Sequence, residues 1–290
     1  MSLYFYVFTL LCFDAIVFLC YYVHMLLRFS VVVTVGRRRM RRISILNFKG
    51  GTGKTSVAEN LGHALARAGS TVFVVDGDRQ SNTTTTLLGK RVSPSLSDVL
   101  TGKVKLTEAI YEARENLFVI PSDTDLDHVS TYLKDHHRAY QTLRDSLEAL
   151  EGRVDFVLFD QAGAFSPIMD TLLTASNEML IPCELEPYAV QGLFDMFDKL
   201  KHELGQELKN SGIIPYNTDM SKKMTGAYVQ ELLDTFGDLV TDPVRTDTAV
   251  PYAQSQKLTV FEYAERYKIK SRAAEDFARL ARYFLEEGNQ

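Results

Sequence analysis

The sequence is poor in the features that would tie it to several common protein classes. Cysteine occurs only at Cys12, Cys20 and Cys183, never as a close C-x-x-C pair. That spacing offers no structural zinc site and points to a reducing compartment. Positive charge is in deficit: 32 Lys and Arg face 37 Asp and Glu, a formal net charge of −5. A chain of that sign has no global field for nucleic acid, so any such contact needs a local basic patch. Gly/Ser or Pro linkers and internal repeats are missing from residues 40–290, a length that suits one large α/β domain.

Polar side chains are nearly missing from residues 3–35, which are broken only by Asp14, His24 and Arg28 and followed by Arg37-Arg38-Arg39-Met40-Arg41-Arg42. Taken literally, this is a membrane-spanning helix with positive charge on its cytoplasmic side. A signal peptide is disfavoured by the want of a small-residue cleavage site. Asp14 and Arg28 would each be costly in hydrocarbon. The alternative is that translation starts at Met40, two residues before the first strand, and that residues 1–39 are upstream sequence read in frame. That reading is preferred; a membrane anchor is its rival. Without residues 1–39 the balance becomes 28 basic to 36 acidic residues, a charge of −8.

The chain is organised around Asn47-Phe48-Lys49-Gly50-Gly51-Thr52-Gly53-Lys54-Thr55-Ser56. The run Arg42–Phe48 reads as a buried strand, and Ser56–Ala66 has helical periodicity. Strand, glycine loop and helix form the setting of a phosphate-binding loop: backbone N–H groups wrap a polyphosphate, Lys54 reaches its outer phosphates, and the Thr55 hydroxyl ligates Mg²⁺. The helix N-terminus adds its dipole. Lys49 is an extra cation at the front of the loop, poorly placed to serve phosphates that Lys54 of the same subunit already holds.

Strands and helices alternate onward. Gly69 is placed to close the loop helix. The strand Thr71–Asp76 ends in Asp76-Gly77-Asp78, two carboxylates one residue apart, on the same side of the chain and at the strand end where open α/β sheets bind ligands. Residues 95–115 read as short surface helices, Leu117–Pro121 as a strand, and Leu126–Leu150 as one long polar-faced helix carrying His128, His136 and His137. Adjacent histidines on a helix point to different faces, which is poor metal geometry, and a solvated surface is the better reading. Val154–Asp160 is an almost unbroken apolar strand, as a central parallel strand should be. Asp160 closes it as a Walker B aspartate would, holding Mg²⁺ through water, and Gln161-Ala162-Gly163 completes Asp-x-x-Gly, whose Gly163 N–H is placed to sense a γ-phosphate. Further strands at Glu178–Cys183 and Gly212–Asn217, with helices at Val190–Leu204, Lys223–Phe236 and Arg272–Glu286, extend the pattern. The fold expected is a doubly wound, mostly parallel sheet with helices on both faces.

Lys49-Gly50-Gly51-Thr52-Gly53-Lys54-Thr55 resembles the deviant Walker A box of the ParA/MinD superfamily, KGGxGK[ST]. Asp76-Gly77-Asp78-Arg79-Gln80-Ser81-Asn82 is similar to the ParA-type DxDPQGN segment, and Gln80 and Asn82 favour the partition branch. Ile120–Leu126, Ile181–Leu193 and Val260–Glu275 also resemble ParA proteins. The likeness covers Met40 to the C-terminus and none of residues 1–39. It implies a SIMIBI-like P-loop ATPase that dimerises around two nucleotides, with ATP and Mg²⁺ as cofactors. Gly50, Gly51, Thr52, Gly53, Lys54, Thr55 and Ser56 would bind the phosphates, and Asn217 the adenine. Thr55, Asp76 and Asp160 would form the Mg²⁺ shell. Asp78 would position the attacking water, and Lys49 would cross to the partner subunit's nucleotide. Positioning and charge neutralisation are most of what phosphoryl transfer asks of a protein.

Two departures stand out. The family's usual DxPP is Asp160-Gln161-Ala162-Gly163 here, and Arg79 replaces the proline of DPQ. Asp-x-x-Gly suggests an SRP-type GTPase, but no guanine-reading [NT]KxD follows, so ATP is favoured. The resemblance further implies non-specific DNA binding in the ATP state and a ParB-like stimulator. DNA candidates are Lys222, Lys223, Arg245, Lys257, Arg266, Lys268, Lys270 and Arg272. No helix-turn-helix precedes the ATPase, so operator recognition is not expected. A nucleoid-associated cytoplasmic protein is the leading expectation. The alternatives are a MinD-like membrane-associated positioning ATPase, if residues 1–39 are genuine, and a tyrosine autokinase, for which Tyr263, Tyr267 and Tyr283 are too dispersed. The C-terminus, ending Glu286-Glu287-Gly288-Asn289-Gln290, is unlike a basic membrane-targeting helix.

Overall fold

A computed structural model describes residues 39–136, 139–204 and 209–287. The hydrophobic run at 1–38 and His137 lie outside them. Among the described residues, no helix is long and apolar enough to cross a membrane.

Eight strands form one sheet: β1 (Arg41–Ile45), β2 (Val72–Asp76), β3 (Tyr111–Arg114), β4 (Leu117–Ile120), β5 (Phe156–Asp160), β6 (Glu178–Glu184), β7 (Lys209–Thr218) and β8 (Val244–Arg245). Their spatial order is 3-4-2-5-1-6-7-8, and only β3 runs antiparallel to its neighbour. β2 and β5 are buried at every residue. Successive side chains leave a strand on opposite faces, so each such strand must be covered twice. Ile43, Val74 and Leu158 pack on one face under α1 (Lys54–Arg67) and α11 (Arg272–Glu287). Phe73, Val75, Val157 and Phe159 pack on the other, against α3 (Leu96–Leu100), α4 (Leu126–Asp135), α5 (Ala139–Glu148) and α6 (Pro167–Ala175). A third cluster joins Ile181 and Ile213 to α7 (Ala189–Leu204) and α8 (Lys223–Phe236). This is the expected doubly wound architecture.

Three expectations need correction. Residues 126–150 are two helices, α4 and α5. α4 ends at His136, whose ring Nδ1 lies 2.9 Å from the Tyr132 carbonyl and whose ring stacks on that of Tyr132. That carbonyl is the one a continuing helix would give to the backbone N–H of residue 136. Of the short helices after residue 95, α3 is not on the surface, since Leu96, Ser97, Val99 and Leu100 are buried, whereas the turn Leu106–Ala109 buries Leu106 and exposes Thr107 and Glu108. Tyr111–Arg114, read as part of that helical stretch, is instead the antiparallel edge strand β3.

Candidate functional site

The C-terminal ends of β1, β2, β5 and β7 meet at one place. β1 runs into the glycine loop, and α1 begins at Lys54 with Gly53 as its N-terminal cap residue at φ +90°. Gly51 is also left-handed, at φ +79°, a conformation that costs glycine nothing. Gly53 is demanded twice over: a Cβ there would lie 2.1 Å from Cε1 of Tyr216. The Tyr216 hydroxyl faces Ser56, and burial pushes its pKa up to about 12. Asn47 braces the loop from outside, donating to the Pro182 carbonyl at 2.8 Å and accepting from the Lys49 N–H at 2.9 Å.

The two lysines of the loop point to different surroundings. Lys54 Nζ donates to the Lys49 carbonyl at 3.3 Å. Burial lowers its pKa, and the charges of Asp160 and Asp78 oppose that effect. Lys49 lies at the exposed front of the loop, with Nζ 2.6 Å from Glu186 and 3.4 Å from Glu184. Its pKa is raised, first by the hydrogen bond to Glu186.

Asp76 and Asp160 are register partners on β2 and β5, and both are buried. Asp76 Oδ2 accepts from the Thr84 N–H at 2.8 Å and the Thr84 hydroxyl at 2.6 Å, and its Oδ1 accepts from the Asp78 N–H at 3.1 Å. Asp160 Oδ2 accepts from the Thr83 hydroxyl at 2.7 Å, while Oδ1 is buried with no protein partner. Burial drives both carboxyl pKa values upward; the neighbouring Asp160 charge adds to the effect at Asp76, and the Thr83 and Thr55 hydroxyls oppose it at Asp160. Gly77 lets the two strands close here, because a Cβ would meet Leu172 Cδ1 at 2.3 Å and the Asp160 carbonyl at 2.9 Å. Asp78 is held by its backbone: its carbonyl accepts from the Ser122 hydroxyl at 2.6 Å and the Ser81 N–H at 2.9 Å. Its own Oδ1 accepts from the Gln80 N–H at 2.9 Å.

Paired buried acids, an unsatisfied carboxylate oxygen, Thr55 facing them and the half-buried Lys54 ammonium form a set suited to a magnesium-bound polyphosphate. Mg²⁺ takes few protein ligands and keeps phosphate oxygens and water. Among the described residues, no group of His, Cys, Asp and Glu side chains could hold a metal alone. Asn217, left-handed at φ +54° and exposed, is the penultimate residue of β7 and directly follows Tyr216, which packs on Gly53 of the loop.

The cations named for DNA differ in what already holds them. Arg245 pairs with buried Asp276 at 2.8 Å and with Glu275 at 3.3 Å. Lys222 lies 3.8 Å from Asp219, and Lys257 donates to the Gly89 carbonyl at 2.6 Å. Lys268, Lys270 and Arg272 are exposed at the junction between α10 (Val260–Tyr267) and α11, with no ion pair among the described residues.

Sequence reasoning missed Thr83, Thr84 and Ser122, which orient the acids, and Gln254, whose Nε2 lies 3.1 Å from Ser56 Oγ. The four threonines Thr83–Thr86 directly after Asn82 were a visible signal for the first two; nothing marked the others.

Comparison with known proteins agrees with this geometry. A family model described as an AAA domain matches residues 40–211. The chain is 32% identical over 213 residues to the chromosome partitioning protein ParA of Caulobacter vibrioides, covering 71% of this chain and 80% of that protein. It is 28% identical over 255 residues to the chromosome-partitioning ATPase Soj of Treponema pallidum, covering 86% and 99%. Among solved structures, the septum site-determining protein MinD of Pyrococcus horikoshii, complexed with Mg-ADP, superposes with a TM-score of 0.67 at 27% identity, over 83% of this chain and 94% of that one.

Proposed function

The chain belongs to the ParA-type branch of the ParA/MinD superfamily of P-loop ATPases, and from that membership we propose that it is a nucleotide-switched partition ATPase. In this reading it binds Mg-ATP, dimerises on it, associates with DNA without sequence preference and hydrolyses ATP slowly until a ParB-like partner stimulates it. The carrying observation is the division between the two loop lysines. Lys54 lies among Asp78 and Asp160 and serves the phosphates of its own subunit. Lys49 faces outward onto exposed Glu184 and Glu186, where a second subunit can take it up.

The bound nucleotide supplies the γ-phosphoryl group. The chain contributes position and charge: loop N–H groups and Lys54 would grip the phosphates, and Thr55, Asp76 and Asp160 would hold Mg²⁺, which would neutralise charge on the phosphates. Ser56 meets the inner phosphate, Asn217 the adenine, and Asp78 orients the attacking water. Charge stabilisation of this preorganised kind is commonly the largest catalytic term. Lys268, Lys270 and Arg272 form the DNA-facing patch.

DNA binding by the full chain with ATP, ADP or no nucleotide is the test. Binding that requires ATP and weakens with salt is expected. Binding in the ATP state to anionic liposomes and not to DNA would overturn the partition reading in favour of a membrane-positioning ATPase.

A further inference from the structure

Tyr263 and Tyr267, dispersed in the sequence, are gathered with a third tyrosine by the fold. α9 (Ala249–Ser255) carries Tyr252, and α10 carries the other two. The rings of Tyr252 and Tyr263 are nearly parallel, 12° between planes and 6.5 Å between centroids, and the Tyr267 ring lies 4.7 Å from that of Tyr263. Tyr263, in the middle, is half-buried against the core, whereas Tyr252 is 59% exposed and Tyr267 45%. The Tyr267 hydroxyl donates to Gln256 Oε1 at 2.7 Å, which fixes its ring. Contiguous exposed ring faces of this kind mark an interaction surface.

The free charge around the stack has one sign. The Arg266 guanidinium lies 5.8 Å from the Tyr267 centroid, and Lys257, Lys268 and Lys270 are exposed beside it in sequence. The two acids of α10 are already held, Glu262 by Arg114 and Glu265 by Arg67 at 2.7 Å. Two of the lysines also occupy an unusual backbone conformation. Lys257, just beyond α9, and Lys268, which closes α10, are left-handed at φ +59° and +52°. Glycine adopts that conformation freely and lysine only at a cost. Strain of this kind gathers at binding sites.

We propose that the Tyr252–Tyr263–Tyr267 stack is a seat for the unpaired bases of single-stranded DNA. The proposal rests on the DNA-facing reading above and adds the form of DNA that this surface fits. Lysines alone serve the phosphates of a duplex, but a duplex keeps its base faces covered and leaves the tyrosine faces unused. A single strand brings both parts: phosphates for Lys257, Lys268 and Lys270, and open bases for the rings. Such stacking tolerates any sequence, because every base has a π-face, and Arg266 adds a cation–π contact.

Anisotropy titration of the full chain in the ATP state, with a labelled thymidine oligonucleotide or a duplex of equal length, tests this. Tyr252→Ala/Tyr267→Ala should weaken oligonucleotide binding about tenfold or more and leave duplex binding within about twofold. Tyr252→Phe/Tyr267→Phe keeps the ring faces and should stay within about threefold of the wild type for both. The chain has no tryptophan, so its intrinsic emission comes from tyrosine. The oligonucleotide should therefore quench the wild type and the duplex should not, a readout that holds even if the alanine variant fails to fold. Equal losses of oligonucleotide and duplex affinity in that variant, or an unchanged oligonucleotide affinity, would overturn the proposal. So would quenching by anionic vesicles in place of the oligonucleotide. A wild-type chain that binds duplex in the ATP state but no oligonucleotide overturns the proposal and keeps the partition reading; one that binds neither overturns both.

Discussion

Lys49 and Lys54 are five residues apart and differ in what surrounds them. Lys54 loses hydration and gains two acids, whereas Lys49 keeps much of its exposure and pairs with acids that are themselves exposed. An exposed pair of that kind is worth about 0–1 kcal/mol, so exchanging Glu186 for a nucleotide phosphate costs the folded monomer little. Three substitutions should therefore give three different phenotypes. Lys54→Ala should lose nucleotide affinity, dimerisation and turnover together. Asp78→Ala should still dimerise on ATP but lose turnover about a hundredfold or more. Lys49→Ala should bind ATP as a monomer, within about twofold of the wild-type affinity, and fail to dimerise or hydrolyse. Light scattering on size exclusion with and without ATP, alongside phosphate release, separates them; a Lys49→Ala protein that dimerises normally would refute the crossing role. These residues were legible because each belongs to a fixed spacing. Ser122 and Gln254 were not, because a lone hydroxyl or amide has no spacing to betray the group it will face, and the threonine run after Asn82 showed that hydroxyls gather there without showing which acid each would hold.

Among the elements, α1 carries the heaviest electrostatic load. Its Glu59 is fully buried, with Oε2 accepting from Gln254 Nε2 at 3.1 Å and Oε1 without a partner. Burial raises the Glu59 pKa from 4.5 to about 8, and the nearby Asp160 and Asp76 charges add to this. In that window the unfolded chain has released the proton that the folded chain keeps, so stability falls as pH rises through it. Each pH unit costs about 1.4 kcal/mol, a few kcal/mol in all. His63 on the same helix has the opposite sign. Burial lowers its pKa from 6.5 to about 4, so the folded form loses stability as pH falls between those values. Glu59→Gln keeps an acceptor for Gln254 and removes the charge. The nucleotide-free variant should match the wild type near pH 5 and melt several degrees higher at pH 8.5. Parallel melting-temperature curves against pH would count against a protonated Glu59. Elements themselves were readable wherever the pattern was pure: β2 and β5, buried on both faces, and the helices beginning at Lys223 and Arg272. Readings failed where one polar-faced periodicity ran across a helix end, as at His136, or where an edge strand as mixed as Tyr-Glu-Ala-Arg had too little alternation to declare itself.

At the scale of the whole molecule, charge must be uneven for a chain of net −5 to hold DNA. Composition limited the search to a patch, but only the fold could say which cations are free. Arg245 shows why: its charge alone placed it among the candidates, yet Asp276, buried at 2% exposure, and Glu275 hold its guanidinium. Lys268 and Lys270 flank half-exposed Ile269 in the turn that leaves α10, a short basic projection on an otherwise acidic protein. Removing one lysine–phosphate pairing should reduce the salt slope of DNA binding by about 0.9. The double variant Lys268→Glu/Lys270→Glu should thus lower the slope of log K against log salt by about two in the ATP state. It should leave ATP affinity and melting temperature as in the wild type, because neither lysine touches the nucleotide loop or a buried acid. Arg245→Ala should do the reverse, lowering the melting temperature by withdrawing a partner from buried Asp276 while keeping the salt slope. Fluorescence-anisotropy titrations of a non-specific duplex at several salt concentrations distinguish the two. If Arg245→Ala alone lost the slope and the lysine variant kept it, the DNA-facing surface would have to be moved to the face that carries β8.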